Sequence, residues 1–202
     1  MDNKEDKREL ILNTADRLFE KYGYSKTSMD DIASEAFIGK GTIYYYYKTK
    51  EDIFLELAKY YHKKIFNRLY QELEKCNSFD DQFKLMINLP LSYAIKSYPV
   101  YYEAIQTHSK SLLTKISDFK KEKTALYFNL LKDLFIEAQA KGEIVKTLDV
   151  ERLISFLLRR ILIGDDNIHF KYSKDSLKNM LKDHELIIDI ILYGIKKRSY
   201  NE

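Results

Sequence analysis

The chain has 202 residues, of which 45% are hydrophobic and 32% charged, and its formal net charge is +3. This length and apolar content exclude a disordered chain and are sufficient for one or two domains with a buried core. The small net charge excludes any inference of nucleic-acid binding from overall basicity.

Helices are predicted along the whole chain. Only six glycines and two prolines interrupt it, and the apolar residues recur at intervals of three and four. The charged first ten residues hold no signal-peptide core, and no uncharged apolar stretch is long enough to span a membrane. The lone cysteine, Cys76, excludes an internal disulfide and fits a reducing compartment. We therefore expect an all-α, cytoplasmic protein with no membrane partner, in which Cys76 is an ordinary thiol.

The first predicted helix carries one apolar stripe, formed by Ile11, Ala15, Leu18, Phe19 and Tyr22. Gly23 follows directly and can adopt the left-handed conformation that ends a helix. A second helix is predicted to begin at Thr27 or Ser28, because either side chain can form a cap with an acidic residue three positions on. At about ten residues this helix is too short to be stable alone, so it must pack on its neighbours.

A turn at residues 37–39 is predicted to lead into a third short helix that contains four consecutive tyrosines, residues 44–47. Ile43 and Tyr47 are four residues apart and are predicted to share its buried face. The periodicity places Thr42, Tyr45 and Tyr46 on other sides and Tyr44 at the border. Two short helices across a three-residue turn predict a helix-turn-helix. The alternative, that the tyrosines only pack a small core, stays open.

Lysines surround this predicted third helix. From Ala36 to Lys50 the sequence holds three lysines and no acidic residue. Thr49 is predicted to cap a fourth helix, with Asp52 at the capping-box position. The amide groups at the start of that helix, together with Lys50, are suited to bind a phosphate. The placement of charge, rather than its total, therefore favours DNA binding.

The segments TSMDDIA (27–33) and GTIYYYYKTKE (41–51) resemble the TetR family of bacterial transcription regulators, over about residues 8–55. The resemblance implies a three-helix helix-turn-helix head at residues 5–55, with the motif at about 28–47. It also implies a larger helical ligand-binding and dimerisation domain at 56–202. Two residues depart from the family pattern, because Phe37 stands where glycine is usual and Gly39 where serine or another small cap is usual. A phenylalanine with positive φ carries strain, so the turn can differ in shape.

In regulators of this kind the third helix enters the major groove of DNA, and groups on both sides contact phosphates. Combined with side-chain chemistry, the resemblance predicts that the DNA-contacting residues are Thr27, Ser28, Lys40, Gly41, Thr42, Tyr44, Tyr45, Tyr46 and Lys50. Thr42 and Tyr45 are expected at base edges. Most of the others are suited to phosphate oxygens.

Further helices are predicted beyond residue 55. One begins after a Ser78 cap, another at Pro99, and three more cover about 112–141, 150–163 and 173–197. Pro90 is predicted to kink or split the helix that contains it. Gly142 is predicted to end the long helix, and Asp149 to cap the next.

The last helix is predicted to contribute to a homodimer. Its apolar stripe consists of Leu177, Leu181, Ile188, Ile191, Leu192 and Ile195, with Ile187 and Ile190 alongside. The stripe is broader than one internal contact requires, and the resemblance implies that the last two helices pair with their copies. A dimer would place two recognition helices one DNA turn apart, as a palindrome requires. The alternative is that the stripe is core.

A small-molecule pocket is predicted among residues 85–170, where aromatic side chains with a few polar tips could line it. The candidates are Tyr93, Tyr102, His108, Tyr127, Phe128, Phe135 and Phe170. For each one, ordinary core packing is the alternative.

No enzyme motif is found. The four histidines are far apart and lack metal-ligand spacing, and the chain has no glycine-rich phosphate loop. We therefore expect no catalytic residues, metal or cofactor. The predicted function is a sequence-specific transcription repressor that a small hydrophobic ligand releases from a palindromic operator in double-stranded DNA. The alternative is an architectural or protein-regulated DNA-binding factor of the same fold without a small-molecule effector, which a solid second domain would favour.

Overall fold

The structure is a computed structural model that describes residues 3–106, 109–159 and 174–196. These residues form the helices α1 (Asn3–Tyr22), α2 (Met29–Glu35), α3 (Lys40–Tyr46), α4 (Lys50–Leu73), α5 (Phe79–Gln106), α6 (Lys110–Lys141), α7 (Val150–Leu157) and α8 (Lys174–Ile195). Within the described ranges the β-structure is a single bridge between Ile144 and Lys196. The predicted all-α class is confirmed.

Most helix boundaries fall where the sequence placed them. Gly23 has φ 89° and Gly142 has φ 73°, so both glycines adopt the left-handed conformation just after α1 and α6. The Ser78 hydroxyl accepts from the backbone N–H of Asp81 at 3.1 Å, at the start of α5. The Asp149 carboxylate accepts from the N–H of Arg152 at 3.0 Å and so caps α7.

The prolines do not divide α5. Pro90 and Pro99 both lie inside this one 28-residue helix, so the predicted start of a separate helix at Pro99 is wrong, and the helix is not split at Pro90. A proline inside a helix removes one backbone hydrogen bond. Near Pro90 the side chains of Phe83, Ile87 and Leu91 are buried, and their packing favours a continuous helix.

The chain divides into two compact units, of which the first comprises residues 1–64 and 97–119. Its core contains buried residues of α1 to α4 and, from α5 and α6, the residues Ala104, Leu112 and Ile116. The first unit is therefore larger than the predicted head at 5–55, since part of its core comes from two later helices. The division into a DNA-binding and a regulatory domain stays a prediction.

The second compact unit comprises residues 65–96 and 120–202. Three phenylalanines form its aromatic centre, with ring centroids of Phe79 and Phe83 lying 5.1 Å and 5.3 Å from that of Phe135. The buried faces of α5, α6, α7 and α8 surround this centre. None of the described helices combines the length and the apolar character needed to cross a membrane.

Part of the predicted dimer stripe on α8 meets this core. Ile188, Leu192 and Ile195 are buried inside the unit of their own chain, and Ile191 packs against the same core. Ile188, Leu192 and Ile195 therefore pack as core in their own chain, whereas Ile191 is only partly buried, and the predicted dimer surface stays a prediction. The side chains of Leu177 and Leu181 lie outside the described residues, as do the predicted end of the helix at 163 and the predicted limits 173 and 197.

A different face of α8 is exposed. It consists of Leu186, Ile187, Ile190 and Tyr193, and Ile190 is 61% exposed. These residues follow one another at helical spacing, so they form a continuous apolar stripe, which we call the α8 outer stripe. Gly194 lies beside it and leaves space, since a Cβ built there would meet nothing within 4 Å.

Candidate nucleic-acid interface

A capping box fixes the start of α2. The backbone N–H of Ser28 donates to the Asp31 carboxylate at 2.8 Å, and the N–H of Asp31 donates to the Ser28 hydroxyl at 3.1 Å. The Ser28 hydroxyl, which lies 2.6 Å from the Asp31 carboxylate, lowers the pKa of Asp31, as does the hydrogen bond from the Ser28 N–H. Met29, Ile32 and Ala33 then pack into the core of the first unit. Of the two predicted caps, Ser28 is the one that the structure uses.

The turn between α2 and α3 carries an exposed aromatic side chain. Phe37 has φ 53° and is 95% exposed. Its backbone lies in the left-handed region that glycine adopts without cost, so a β-carbon here is strained. The positive φ considered from the sequence is confirmed. Neither packing nor backbone geometry within this unit favours phenylalanine at the position.

Tyr45 and Tyr47 lie on the faces of α3 that the helical period predicted, whereas Tyr46, which was expected on an outer side, packs partly against the core. Ile43 is fully buried and Tyr47 is 4% exposed, whereas Tyr45 is 64% exposed. Tyr44 is also exposed, and Tyr46 is half-buried against the core of the first unit. The Tyr45 and Tyr46 rings meet edge to face, with their centroids 5.2 Å apart. Helix α3 is thus held by Ile43 and Tyr47 and presents Tyr44 and Tyr45 to solvent.

The first turn of α3 is open to solvent. Lys40 and Gly41 are exposed and Thr42 is half-buried. The Lys40 ammonium forms an ion pair with Asp30 of α2, which links the two helices of the motif. Nothing lies within 4 Å of a Cβ built on Gly41, so another molecule could approach the backbone here. No side chain caps α3 at Gly39.

Thr27 lies inside the first unit rather than on the predicted DNA-contacting surface. Its side chain is buried, and its hydroxyl donates to the carbonyl of Gly23 at 2.9 Å. This hydroxyl ties the loop between α1 and α2 together, so Thr27 is poorly placed to reach a phosphate. Ser28, by contrast, is exposed.

Lys50 also faces the loop between α1 and α2. Its ammonium donates to the carbonyl oxygens of Tyr24 and Thr27, each at 2.8 Å, and lies 4.3 Å from the centre of the Tyr24 ring. Burial lowers the pKa of Lys50. Two of its three N–H donors are therefore used within the chain. The prediction that Lys50 holds a phosphate stays a prediction.

The predicted capping box at the start of α4 is present. The backbone N–H of Asp52 donates to the Thr49 hydroxyl at 3.1 Å, and the N–H of Thr49 donates to the Asp52 carboxylate at 3.2 Å. The Lys115 ammonium lies 2.6 Å from the same carboxylate. This pairing with Lys115, together with the hydrogen bonds from Thr49, lowers the pKa of Asp52.

The predicted ligand-binding aromatics lie in several environments. Phe135 is fully buried in the phenylalanine centre, and Tyr127 is buried with its hydroxyl donating to the carbonyl of Met86. Burial raises the pKa of Tyr127. Tyr93 and Phe128 are half-buried. The Tyr102 side chain, His108 and Phe170 lie outside the described residues.

Two surface cavities, of about 230 Å³ and about 120 Å³, are lined by other residues. The larger is in the first unit, beside Arg8, Tyr47 and Lys59. The smaller is in the second unit, beside Cys76 and Glu143. Neither includes a predicted ligand-binding residue. Among the described residues no cluster of three or more His, Cys, Asp or Glu side chains could hold a metal ion.

Comparison with known proteins identifies the family. The profile "Bacterial regulatory proteins, tetR family" matches residues 11–57, which span α1 to the first turns of α4. The transcriptional regulator QacR of Staphylococcus aureus is 30% identical over 137 residues, covering 67% of this chain and 72% of that protein. The chain belongs to the TetR family.

Similarity extends over the whole of this TetR-family regulator. The fatty acid metabolism regulator protein of Bacillus subtilis is 24% identical over 203 residues, covering 98% of this chain and 100% of that protein. A solved transcriptional regulator from Saccharomonospora viridis, in complex with choline, superimposes with a TM-score of 0.73 at 24% identity, over 96% of this chain and all of that one. These relatives are transcription regulators, and so is this chain, which is not an enzyme.

Sequence reasoning missed two features of the TetR-type head. Lys48 is exposed beside the tyrosines but was not among the predicted DNA-contacting residues. Its place among three lysines could have indicated it. Glu103 of α5 accepts a hydrogen bond from the N–H of Ser25 at 3.3 Å. No local pattern could indicate this contact, because 78 residues separate the two partners.

Proposed function

We propose that this regulator is a repressor that binds a palindromic operator by placing α3 in the major groove. One observation carries the proposal, namely that Ile43 and Tyr47 anchor α3 while Tyr44 and Tyr45 project into solvent. Lys40, Gly41 and Thr42 occupy the first turn of the same helix. Hydroxyls and an ammonium suit phosphates, and an aromatic ring or a threonine methyl suits the thymine methyl.

Selection from genomic fragments tests this proposal. The purified chain is incubated with sheared genomic DNA in about 150 mM salt, where non-specific binding is weakened. The expected result is a small set of fragments that share an inverted repeat, with half-sites about one helical turn apart. Fragments recovered without a shared sequence would contradict sequence-specific binding.

We further propose that the α8 outer stripe is the homodimer surface. TetR-family regulators act as dimers, and this stripe exposes Leu186, Ile187, Ile190 and Tyr193 on one helix face. An exposed apolar stripe on a helix favours burial against another apolar surface. The open space at Gly194 supports a close helix approach. The α8 outer stripe thus replaces the inner face predicted from the sequence.

We also propose that a small hydrophobic ligand releases the operator. One relative is a regulator of fatty acid metabolism, and another was solved with choline bound. We therefore suggest a search among acyl chains and quaternary ammonium compounds. Tyr93 and Phe128 remain candidate contacts, because both are only half-buried. Tyr127 and Phe135 are better explained as core.

Calorimetry with and without operator tests this ligand proposal. A compound that weakens operator binding by some factor must itself bind the operator complex more weakly by that same factor. Equal compound affinity in both states would contradict release. If no compound of either class binds, the architectural or protein-regulated alternative gains support.

A further inference from the structure

The loop at residues 23–28 joins α1 to the helix-turn-helix motif and is held from one side by α4. Lys50 donates to the carbonyls of Tyr24 and Thr27, both at 2.8 Å. Tyr24 is itself buried between Phe19 and Phe54, each with a ring centroid 5.2 Å away. The loop is therefore packed within the first unit, and two of its carbonyl groups accept from one lysine.

The carboxylate of Glu103, in α5, holds the same loop through a backbone N–H group. Glu103 accepts from the backbone N–H of Ser25 at 3.3 Å. The same carboxylate lies close to Gly23, where a Cβ would be 2.5 Å from Glu103 Oε2 and where φ is 89°. The backbone conformation therefore favours glycine at position 23, and a larger residue there would also displace the Glu103 carboxylate.

The two groups that hold the loop have opposite charges. Glu103 accepts from a loop N–H, and Lys50 donates to loop carbonyls. Burial lowers the pKa of Lys50, and the negative charges of Glu51 and Asp31, followed by that of Glu103, act in the opposite direction. The two residues therefore hold different polar groups of the same loop.

We infer that Glu103 is a positioning residue for DNA recognition, which acts with Lys50 to fix the loop at 23–28 and hence the start of α2. The inference rests on the proposed function. Helices α2 and α3 have only seven residues each, and helices this short are unstable without packing. Ser28, the cap of α2, is the last residue of the held loop, so movement of the loop would move the motif relative to α1.

Two substitutions of Glu103 separate its hydrogen bond from its charge. Glu103→Ala removes both, whereas Glu103→Gln removes the charge and keeps an oxygen that can accept from Ser25. Loss of any acidic residue also strengthens binding to all DNA, because it reduces repulsion from phosphates. Asp118→Asn is the matched control, since Asp118 is an exposed acid on α6 in the same compact unit.

The readouts are amide exchange at Ser25 and the ratio of affinities for the selected operator fragment and a scrambled fragment of equal composition. Below the melting temperature of each variant, Glu103→Ala should speed Ser25 exchange and lower the affinity ratio by about tenfold, which corresponds to about 1.4 kcal/mol. Glu103→Gln should lose less of the ratio. Asp118→Asn should leave both readouts at the wild-type value.

An unchanged affinity ratio in Glu103→Ala overturns the inference, whether or not Ser25 exchange is faster. A loss of equal size in Glu103→Gln and Asp118→Asn also overturns it, because charge alone would then explain the effect. If the wild-type chain shows no preference for any fragment, the proposed function itself fails, and this role of Glu103 fails with it. Ser25 exchange then still reports whether the contact exists, so the two failures are distinguishable.

Discussion

The side-chain ammonium of Lys50 donates to the backbone carbonyl of Thr27 at 2.8 Å, and through this bond the first residue of α4 holds the residue before the α2 cap. In the sequence the same lysine looked like a phosphate ligand. Because Lys50 forms this contact, the substitution of Lys50 is expected to disturb the loop at 23–28 and not only a phosphate contact.

If Lys50 positions the loop, Lys50→Ala should weaken operator binding by roughly tenfold more than binding to scrambled DNA and should lower the melting temperature. The salt dependence of binding should change little. Lys63→Ala, at an exposed lysine of the same helix, is the control. If Lys50 instead holds a phosphate, both DNAs lose affinity equally and the log–log salt slope falls by about 1 per subunit.

Phe37→Gly should stabilise the protein. A residue in the left-handed conformation costs about 1–2 kcal/mol, and this exceeds the extra chain entropy that glycine loses on folding, about 0.5–1 kcal/mol. The expected rise in melting temperature is about 1–3 °C. Phe37→Ala is the control, because it removes the ring but keeps the strain, and it should give no rise. A lower melting temperature for Phe37→Gly would show that the ring contributes to the fold.

Ile190→Glu should give folded monomers. Ile190 is 61% exposed in the isolated chain, so a charge there leaves the fold intact but is buried in the proposed dimer. The dimer dissociation constant should rise by about 100-fold or more, which corresponds to about 2.7 kcal/mol. Sedimentation measures this change. Leu126→Glu, at an exposed apolar residue of α6, should stay dimeric, and a dimeric Ile190→Glu would rule out the α8 outer stripe.

Acid should weaken the contact between α4 and α6. The pKa of Asp52 is lowered from 3.8, first by Lys115 and then by Thr49. The carboxylate therefore contributes stability above pH 3.8, and this is lost as the pH falls through the lower folded-state pKa. Asp52→Asn should melt below the wild type at pH 7, and the difference should shrink in acid. A difference that is constant with pH would mean that charge is not the cause, and Asp118→Asn should show no difference at either pH.

Local patterns predicted the head well because its signals are short-range. Gly23 ends α1, Ser28 and Asp31 form a box within four residues, and the period of α3 buries Tyr47 but exposes Tyr45. Each of these features depends on neighbours within about one helical turn. The DNA-contact roles built on them are still predictions.

Long-range packing could not be predicted in this way. A lysine at the start of a helix can face a phosphate or a nearby loop, and only the fold places Tyr24 and Thr27 beneath Lys50. On α8 the sequence showed a broad apolar band but not which part meets its own core, so Ile188 was assigned to a partner although it is buried. Pro99 carried a local signal for a helix start that the continuity of α5 overrides.

The affinity of Tyr45→Ala for the selected operator and for scrambled DNA tests most directly whether α3 reads sequence. We expect a loss of roughly 1 to 3 kcal/mol per half-site on the operator, with little change on scrambled DNA or in the salt slope. Tyr70→Ala, at an exposed tyrosine of α4, should change neither. Tyr47→Ala should instead lower the melting temperature by about 5 °C or more, because it empties a buried site. Equal loss on both DNAs for Tyr45→Ala would contradict the claim, since Tyr45 would then contact phosphate rather than bases.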